Sequence, residues 1–313
     1  MRKALSVLLA VLLLAGSLVS CTETDTDPSS DKPLVVATNF VLYDTARVLA
    51  GDLAEVRMLL PPGTDAHEYE LTLADTALVA DADLFLYIGG ESEDWVDDLF
   101  ASMREEDRPD SCRLIDTSLH YAEEKKEGMQ TEEEPEEDAI DEHIWTSFHN
   151  LLGIVQQTAL HLRYLFPKEK DVLTDRRIAY EEELLALSDA YRQTIDGAKR
   201  KTLVFADRFP FLYLAKEFGL DYYAAFSGCS SNVEASLATI HFLVSKVEEE
   251  GIPAVFVMEL SDGKCAEAVA RETGCAVLTL YSGHNVTPEE FESGITYLDL
   301  LRQNLETLKI ALN

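Results

Sequence analysis

Twice along this chain, short apolar, β-prone runs alternate with segments of helical period, and glycines mark most of the stops between them. That alternation constrains the fold more than any other feature, because it is the pattern of parallel strands joined by crossover helices. In the first series, residues 34–38, 55–60, 84–88 and 112–116 read as strands. Residues 41–50, 72–80 (with Thr72 as cap) and 95–103 read as helices. In the second series, 203–206, 254–258 and 276–280 read as strands, with helices at 211–218, 233–250 and 264–273 and one closing helix over 289–312. Between the two series, 148–166 has helical period, and 168–201 lacks proline. Apolar positions such as Leu184, Leu187, Tyr191 and Ile195 put one long helix over most of 175–198. The expected fold is therefore α/β: two α/β lobes with mainly parallel sheets, joined by one long rigid helix. The N-terminal lobe is placed at 34–166, the linking helix at 167–200 and the C-terminal lobe at 201–313. Roughly 280 residues suffice for two such lobes, each with its own core. Ligands of open parallel sheets bind beyond the strand carboxyl ends, so the cleft between the lobes is the expected site.

The residues ahead of the lobes read differently. Arg2 and Lys3 precede an apolar stretch from Ala4 to Ala15 that is too short to span a bilayer, for which about 20 residues are needed. With its basic flank it reads as a signal peptide over residues 1–20. Leu18-Val19-Ser20-Cys21 resembles the bacterial lipobox, which makes Cys21 the expected lipidation site and mature N-terminus. The polar stretch that follows, 21–33 with Cys21, reads as a tether. Acyl chains, at about 0.8 kcal/mol per buried CH₂, would hold the protein to the lipid bilayer. The expected location is thus exported and lipid-anchored on the outer face of the cytoplasmic membrane.

The net charge of −32 excludes nucleic acid as a partner and creates a cation-attracting field. Much of the charge sits in residues 123–142, a like-charge block that reads as a mobile, solvated loop. Besides Cys21 there are Cys112, Cys229, Cys265 and Cys275, with no CxxC spacing and no dense disulfide framework.

The chemistry rests with the seven histidines. His161 and His241 lie within helical segments, His149 starts one, and His120 follows a strand. Three others lie in loops that follow strands or the acidic block: His67 in LLPPGTDAHEYELT, His143 in DEHIWTS and His284 in LYSGHNVT. A single loop histidine is commonly structural, but three on one edge of two sheets form a set suited to zinc, which takes four N, S or O ligands. No HExxH, P-loop, GxSxG or GxGxxG pattern supports a hydrolase, nucleotide or dinucleotide reading.

These same segments carry a family resemblance. LLPPGTDAHEYELTLAD is similar to the signature loop of the zinc/manganese solute-binding proteins of ABC importers, the ZnuA type, and DEHIWTS is similar to that family's D-P-H-x-W motif. YLAKEFGL and TYLDLLRQNLETL resemble its C-terminal lobe. The resemblance implies a monomeric binding protein, not an enzyme, that holds Zn²⁺ (or Mn²⁺) between two lobes and delivers it to an ABC-transporter membrane permease. It implies His67 and His143 as ligands. The family's third ligand falls on Arg208, which cannot be deprotonated and cannot ligate; an orienting role toward a carboxylate is expected instead. The C-terminal ligand is then expected to be His284, with Asp207, Glu259 and Cys229 as further candidates and an oxygen ligand or water completing the set. The acidic block would only raise the local cation concentration. Zinc binding by neutral imidazoles should weaken below about pH 6.5. The alternatives are a manganese or iron binder of the same type, a zinc-dependent hydrolase with Glu68 or Glu142 as base, or a surface adhesin without stoichiometric metal.

Overall fold

The computed structural model describes residues 32–130, 139–228 and 234–313. The residues read as a signal peptide (1–20), most of those read as a tether (21–31, with Cys21) and Cys229 lie outside the described residues.

The first sheet is built from β1 (Leu34–Ala37), β2 (Glu55–Met58), β3 (Leu84–Tyr87) and β4 (Asp110–Arg113), parallel throughout in the order β2-β1-β3-β4. Helices α1 (Phe40–Ala50), α2 (Leu73–Ala80) and α3 (Trp95–Ser102) cross between its strands. The Thr72 side chain accepts from the Asp75 amide while the Asp75 carboxylate returns to the Thr72 amide, so two orphan donors at the start of α2 are satisfied reciprocally. After two helices, α4 (Phe148–Leu165) and α5 (Lys170–Asp196), the chain enters the second sheet. This consists of β5 (Thr202–Phe209), β6 (Asp221–Ser227), β7 (Ala254–Val257) and β8 (Ala276–Thr279), again parallel, in the order β6-β5-β7-β8. Its helices are α6 (Leu212–Phe218), α7 (Leu237–Glu250) and α8 (Lys264–Thr273), followed by α9 (Pro288–Ser293) and α10 (Tyr297–Ala311).

Several elements differ from the sequence reading. Strand β4 lies at Asp110–Arg113 rather than 112–116, and Ile115–Thr117 form a short 3₁₀ turn. Strand β6 carries the segment DYYAAFS, whose burial alternates only in part and gave no clear period. The expected single closing helix is two: Gly294, at φ 76°, turns the chain into the left-handed region and ends α9, and Thr296 and Asp299 start α10 with a reciprocal cap. The long helix starts at Lys170 rather than 175.

The two sheets share much of their interior. One continuous apolar cluster takes Val35 and Leu86 from the first sheet, Leu203 and Phe256 from the second, Leu184 and Tyr191 from α5, and Leu300 and Leu308 from α10. Separate clusters occur on the outer faces, one including Val36, Phe85, Val79 and Val96, the other Val204, Val255, Leu243 and Val269. The shared interior follows from α10 returning to the first half of the chain. Its Tyr297 amide donates to the buried Asp44 carboxylate of α1 (2.8 Å), and the Tyr191 hydroxyl of α5 donates to its Leu301 carbonyl (2.6 Å).

The described start of the acidic block is not a free loop. Lys126 pairs with Asp221, Glu124 pairs with Lys216, and the Gln130 amide donates to the Ala225 carbonyl (2.8 Å), laying the segment along the open edge of β6. Charges that read as solvated in sequence are thus matched by lysines on both sides, and an exposed strand edge gains a partner. Residues 131–138 lie outside the described residues.

Candidate metal centre

Each of the three loop histidines is positioned by a local device. Asp65 caps the short 3₁₀ turn Ala66–Glu68, its carboxylate accepting from the His67 amide (3.0 Å). His143 opens the turn Ile144–Thr146, and Asp141 holds it from two sides, accepting from its backbone amide (2.9 Å) and lying 3.0 Å from its Nδ1. That contact fixes Nδ1–H and leaves Nε2 as the free donor atom, the usual arrangement of a ligating imidazole. His284 follows β8, and its carbonyl accepts from the Phe40 amide at the start of α1 (2.9 Å), one of the donors a helix N-terminus leaves unpaired. The next residue stitches the loops together: Asn285 Nδ2 donates to the carbonyls of Pro61 (2.7 Å) and Thr64 (2.8 Å), on the approach to His67.

The result is a cluster. His67, Glu142, His143 and His284 each bring one ligand-type atom, and all four atoms lie within 4.8 Å of one another. A tetrahedron with metal–nitrogen bonds of about 2.0–2.1 Å has edges of about 3.4 Å, so the cluster is near that scale. Glu142 and His143 are 2% and 0% exposed. Trp145 closes one wall, its ring centroid 4.6 Å from that of His284 and its indole N–H donating to the Ser282 carbonyl (2.9 Å).

The electrostatics fit a cation. His67 Nε2, His143 Nε2 and Glu142 Oε1 are buried and have no hydrogen-bond partner among the described residues. A buried polar atom left unpaired costs about 1–3 kcal/mol, so three converging on one point form a site that an ion would stabilise. Burial and the nearby His143 charge push the His67 imidazole down to about 4. Burial, with the charges of His143, His67 and Arg208, pushes His284 well below the ordinary histidine value. Burial also pulls on His143, but the Asp141 charge and hydrogen bond outweigh it and hold that imidazole above the ordinary value. Two of the imidazoles are therefore kept neutral, the form that ligates.

Glu142 escaped the sequence reading as a ligand because it closes a run of solvated acids. Only its place beside His143 hinted at burial. Its other oxygen accepts from the Ser92 amide (3.0 Å), and a side chain on Gly90 would collide with it. Glu142 is thus not part of a solvated loop, and the closing residue of the acidic block belongs to the cluster.

Two other sequence candidates, Glu259 and Asp207, fall outside the cluster. Glu259 is buried with its carboxylate turned to the His284 loop, accepting from the Ser282 amide (2.7 Å), the Ser282 hydroxyl (2.6 Å) and the Gly283 amide (2.9 Å). Asp207 accepts from the amides of Arg208 (2.8 Å) and Met258 (3.0 Å). Both carboxylates are already committed to backbone donors. Arg208 does orient a carboxylate, but that of Asp65 rather than of a cluster residue. Cys229 lies outside the described residues, and nothing is described of the Glu68 side chain. His120, His149 and His241 are exposed and His161 sits beside Asp110, all away from the cluster.

Known proteins share this arrangement of lobes. The sequence model of the family described as "Zinc-uptake complex component A periplasmic", ZnuA, matches residues 35–311. The zinc-binding lipoprotein AdcA of Streptococcus pneumoniae is 30% identical over 308 residues, covering 98% of this chain and 60% of its own length. The high-affinity zinc uptake system protein ZnuA of Bacillus subtilis is 29% identical over 303 residues, covering 96% of this chain and 94% of its own. The crystal structure of the Zn(II)-bound ZnuA-like domain of pneumococcal AdcA superposes with a TM-score of 0.75 at 27% identity, covering 90% of this chain and 99% of that one. The chain thus spans about 60% of the length of AdcA. With two parallel-sheet lobes, a buried His/Glu cluster and a match running through both lobes, the chain belongs to the ZnuA family of zinc-uptake proteins.

Proposed function

We propose that the protein captures a divalent transition metal, zinc by preference, as cargo outside the cytoplasmic membrane and delivers it to the permease of an ABC importer. The observation that carries this reading is the convergence of His67, Glu142, His143 and His284 with their donor atoms within 4.8 Å and three of them lacking any other partner among the described residues. Three imidazoles and one carboxylate suit zinc, whereas manganese prefers an oxygen-rich set. Four protein donors also leave no open position of the kind a zinc hydrolase keeps for water, so the role is binding and release rather than turnover. Cys21 anchors the chain to the bilayer, and the working unit is the monomer.

In this reading each cluster residue has a role that the geometry supports. His143, with Asp141 fixing its tautomer, is the first anchor. His67 and Glu142 complete the N-terminal side, and His284 supplies the donor from the second sheet. Zinc titration of the full chain with metal analysis tests the reading: one zinc per chain is expected, displaceable by chelator. Absence of stoichiometric metal, or tighter binding of manganese than of zinc, would refute it.

A further inference from the structure

Strand β5 carries an irregularity at its carboxyl end. Its partners on β6 run Phe205 to Ala224 and then Arg208 to Phe226, so three steps on one strand match two on the other. Such a bulge re-aims the side chain that follows it. Asp207 holds the bulge, its two oxygens accepting from the Arg208 and Met258 amides. The side chain thus aimed is Arg208, which is 6% exposed and reaches out of the second sheet to the His67 loop. There Nη2 donates to Asp65 Oδ2 (2.5 Å) and Nη1 to Asp65 Oδ1 (3.3 Å). The same Oδ1 accepts the His67 amide. One carboxylate therefore joins the guanidinium to the backbone of a cluster histidine.

The rest of that loop is held elsewhere. Pro61 and Thr64 are fixed by Asn285, and the Gly63 amide donates to the Val286 carbonyl (2.8 Å). Asp65 is held by Arg208, and Tyr69 beyond the turn by Asp75. His143 and His284 sit in segments locked by Asp141 and Glu259, whereas His67 rides on a three-residue turn whose cap Asp65 is ion-paired to the second sheet through Arg208.

We infer that Arg208 is a positioning residue which, through Asp65, holds the His67 turn closed over the cluster and so sets the rate at which the captured ion is released. The inference rests on the reading of the cluster as a metal site. A buried, two-pronged arginine–carboxylate pair has the geometric rigidity for this task, and outer hydrogen-bonding partners of metal ligands are worth about 10- to 100-fold in metal affinity.

The test uses the full chain loaded with zinc, release being followed by rapid mixing with a chromogenic chelator. Arg208→Ala and Asp65→Ala should each release zinc about 10- to 100-fold faster, with association changed less than about threefold and one zinc still bound at saturation. The double variant should be no faster than the quicker single one, since the two groups act as one unit. Asp65→Asn, which keeps the cap acceptor, and Arg208→Lys, which keeps the charge, should fall between, and they carry the test if the alanine variants do not fold. Release within about twofold of the parent, or additive effects in the double variant, overturns the inference while leaving the metal site standing. Slower release from Arg208→Ala also overturns it, because that is the sign expected of a guanidinium that merely repels the ion. A parent chain that binds no zinc removes the site itself and this inference with it.

Discussion

The two sheets are built alike and contribute unequally. Each has four parallel strands with its second strand at one edge, next to the first, then the third and fourth. Each ends its strands in loops rich in ligand-type side chains. Yet the first half of the chain brings three residues to the cluster and the second brings one. The difference is not in residue type, because Asp207 and Glu259 stand at the carboxyl ends of β5 and β7 as Glu142 stands beyond β4. It lies in what already faces each carboxylate. Glu259 meets three donors from Ser282 and Gly283, and Asp207 bridges a bulge, whereas Glu142 has one backbone donor and one oxygen that accepts no hydrogen bond among the described residues and lies 3.9 Å from His67 Nδ1. A buried carboxylate is available to a cation only when the backbone has not already satisfied it.

The largest effect should come from the first half. His143→Ala is expected to weaken zinc binding by more than about 100-fold, the upper figure for a group that only supports a ligand, as judged by competition with a chelator of known affinity. A smaller loss would place the ion away from Nε2. The sharpest comparison pairs the two glutamates. Glu142→Gln should lower affinity by at least about 10-fold while leaving the metal-free protein as stable as the parent or more so. Glu259→Gln should instead cost about 1–3 kcal/mol of stability, read by denaturant unfolding, because its amide would face donors that now meet a carboxylate. If Glu259→Gln abolished binding in a protein of parental stability, the division of labour between the halves would be wrong.

The acid dependence separates the histidines themselves. Burial and neighbouring charge keep His67 near 4 and His284 well below the ordinary value, so both stay neutral and available through mildly acidic solution. His143 is held above the ordinary value by Asp141, and as pH falls it takes up its proton first. Zinc affinity should therefore start to fall above pH 6.5, earlier than unperturbed histidines would give, at about tenfold per pH unit for one competing proton. Asp141→Asn should move the onset downward. In the metal-free protein His67 works the other way on stability. The unfolded chain takes up that proton near 6.5 and the folded chain only near 4, so His67 costs stability as pH falls through that window. The smallest effect is expected from deleting 131–138: equilibrium affinity within about twofold, with slower association at low salt and no difference near 1 M, where the screening length is about 3 Å.

Much of the framework was legible because it depends on neighbours in sequence. Thr72 with Asp75 announces the start of α2, Gly219, Gly251 and Gly274 stop the helices before them, and the apolar period of α5 runs past the residues that announced it. Strand β6 and the break at Gly294 were harder to read, the first for want of a period, the second because α9 and α10 continue one another's apolar spacing.

The sequence by itself determined two α/β halves, a helix between them and three histidines in loops at the strand ends, since periodicity and turn chemistry act over a few residues. The tertiary structure decided which of those side chains meet. His67, His143 and His284 converge because Asn285 bonds the loop before His67, 221 residues away at Thr64, and because the Phe40 amide holds the His284 carbonyl. Whether Glu142, Glu259 or Asp207 offers an oxygen to an ion, and whether Arg208 faces the cluster or Asp65, depends on which buried donor lies nearest in space, and no local pattern encodes that distance.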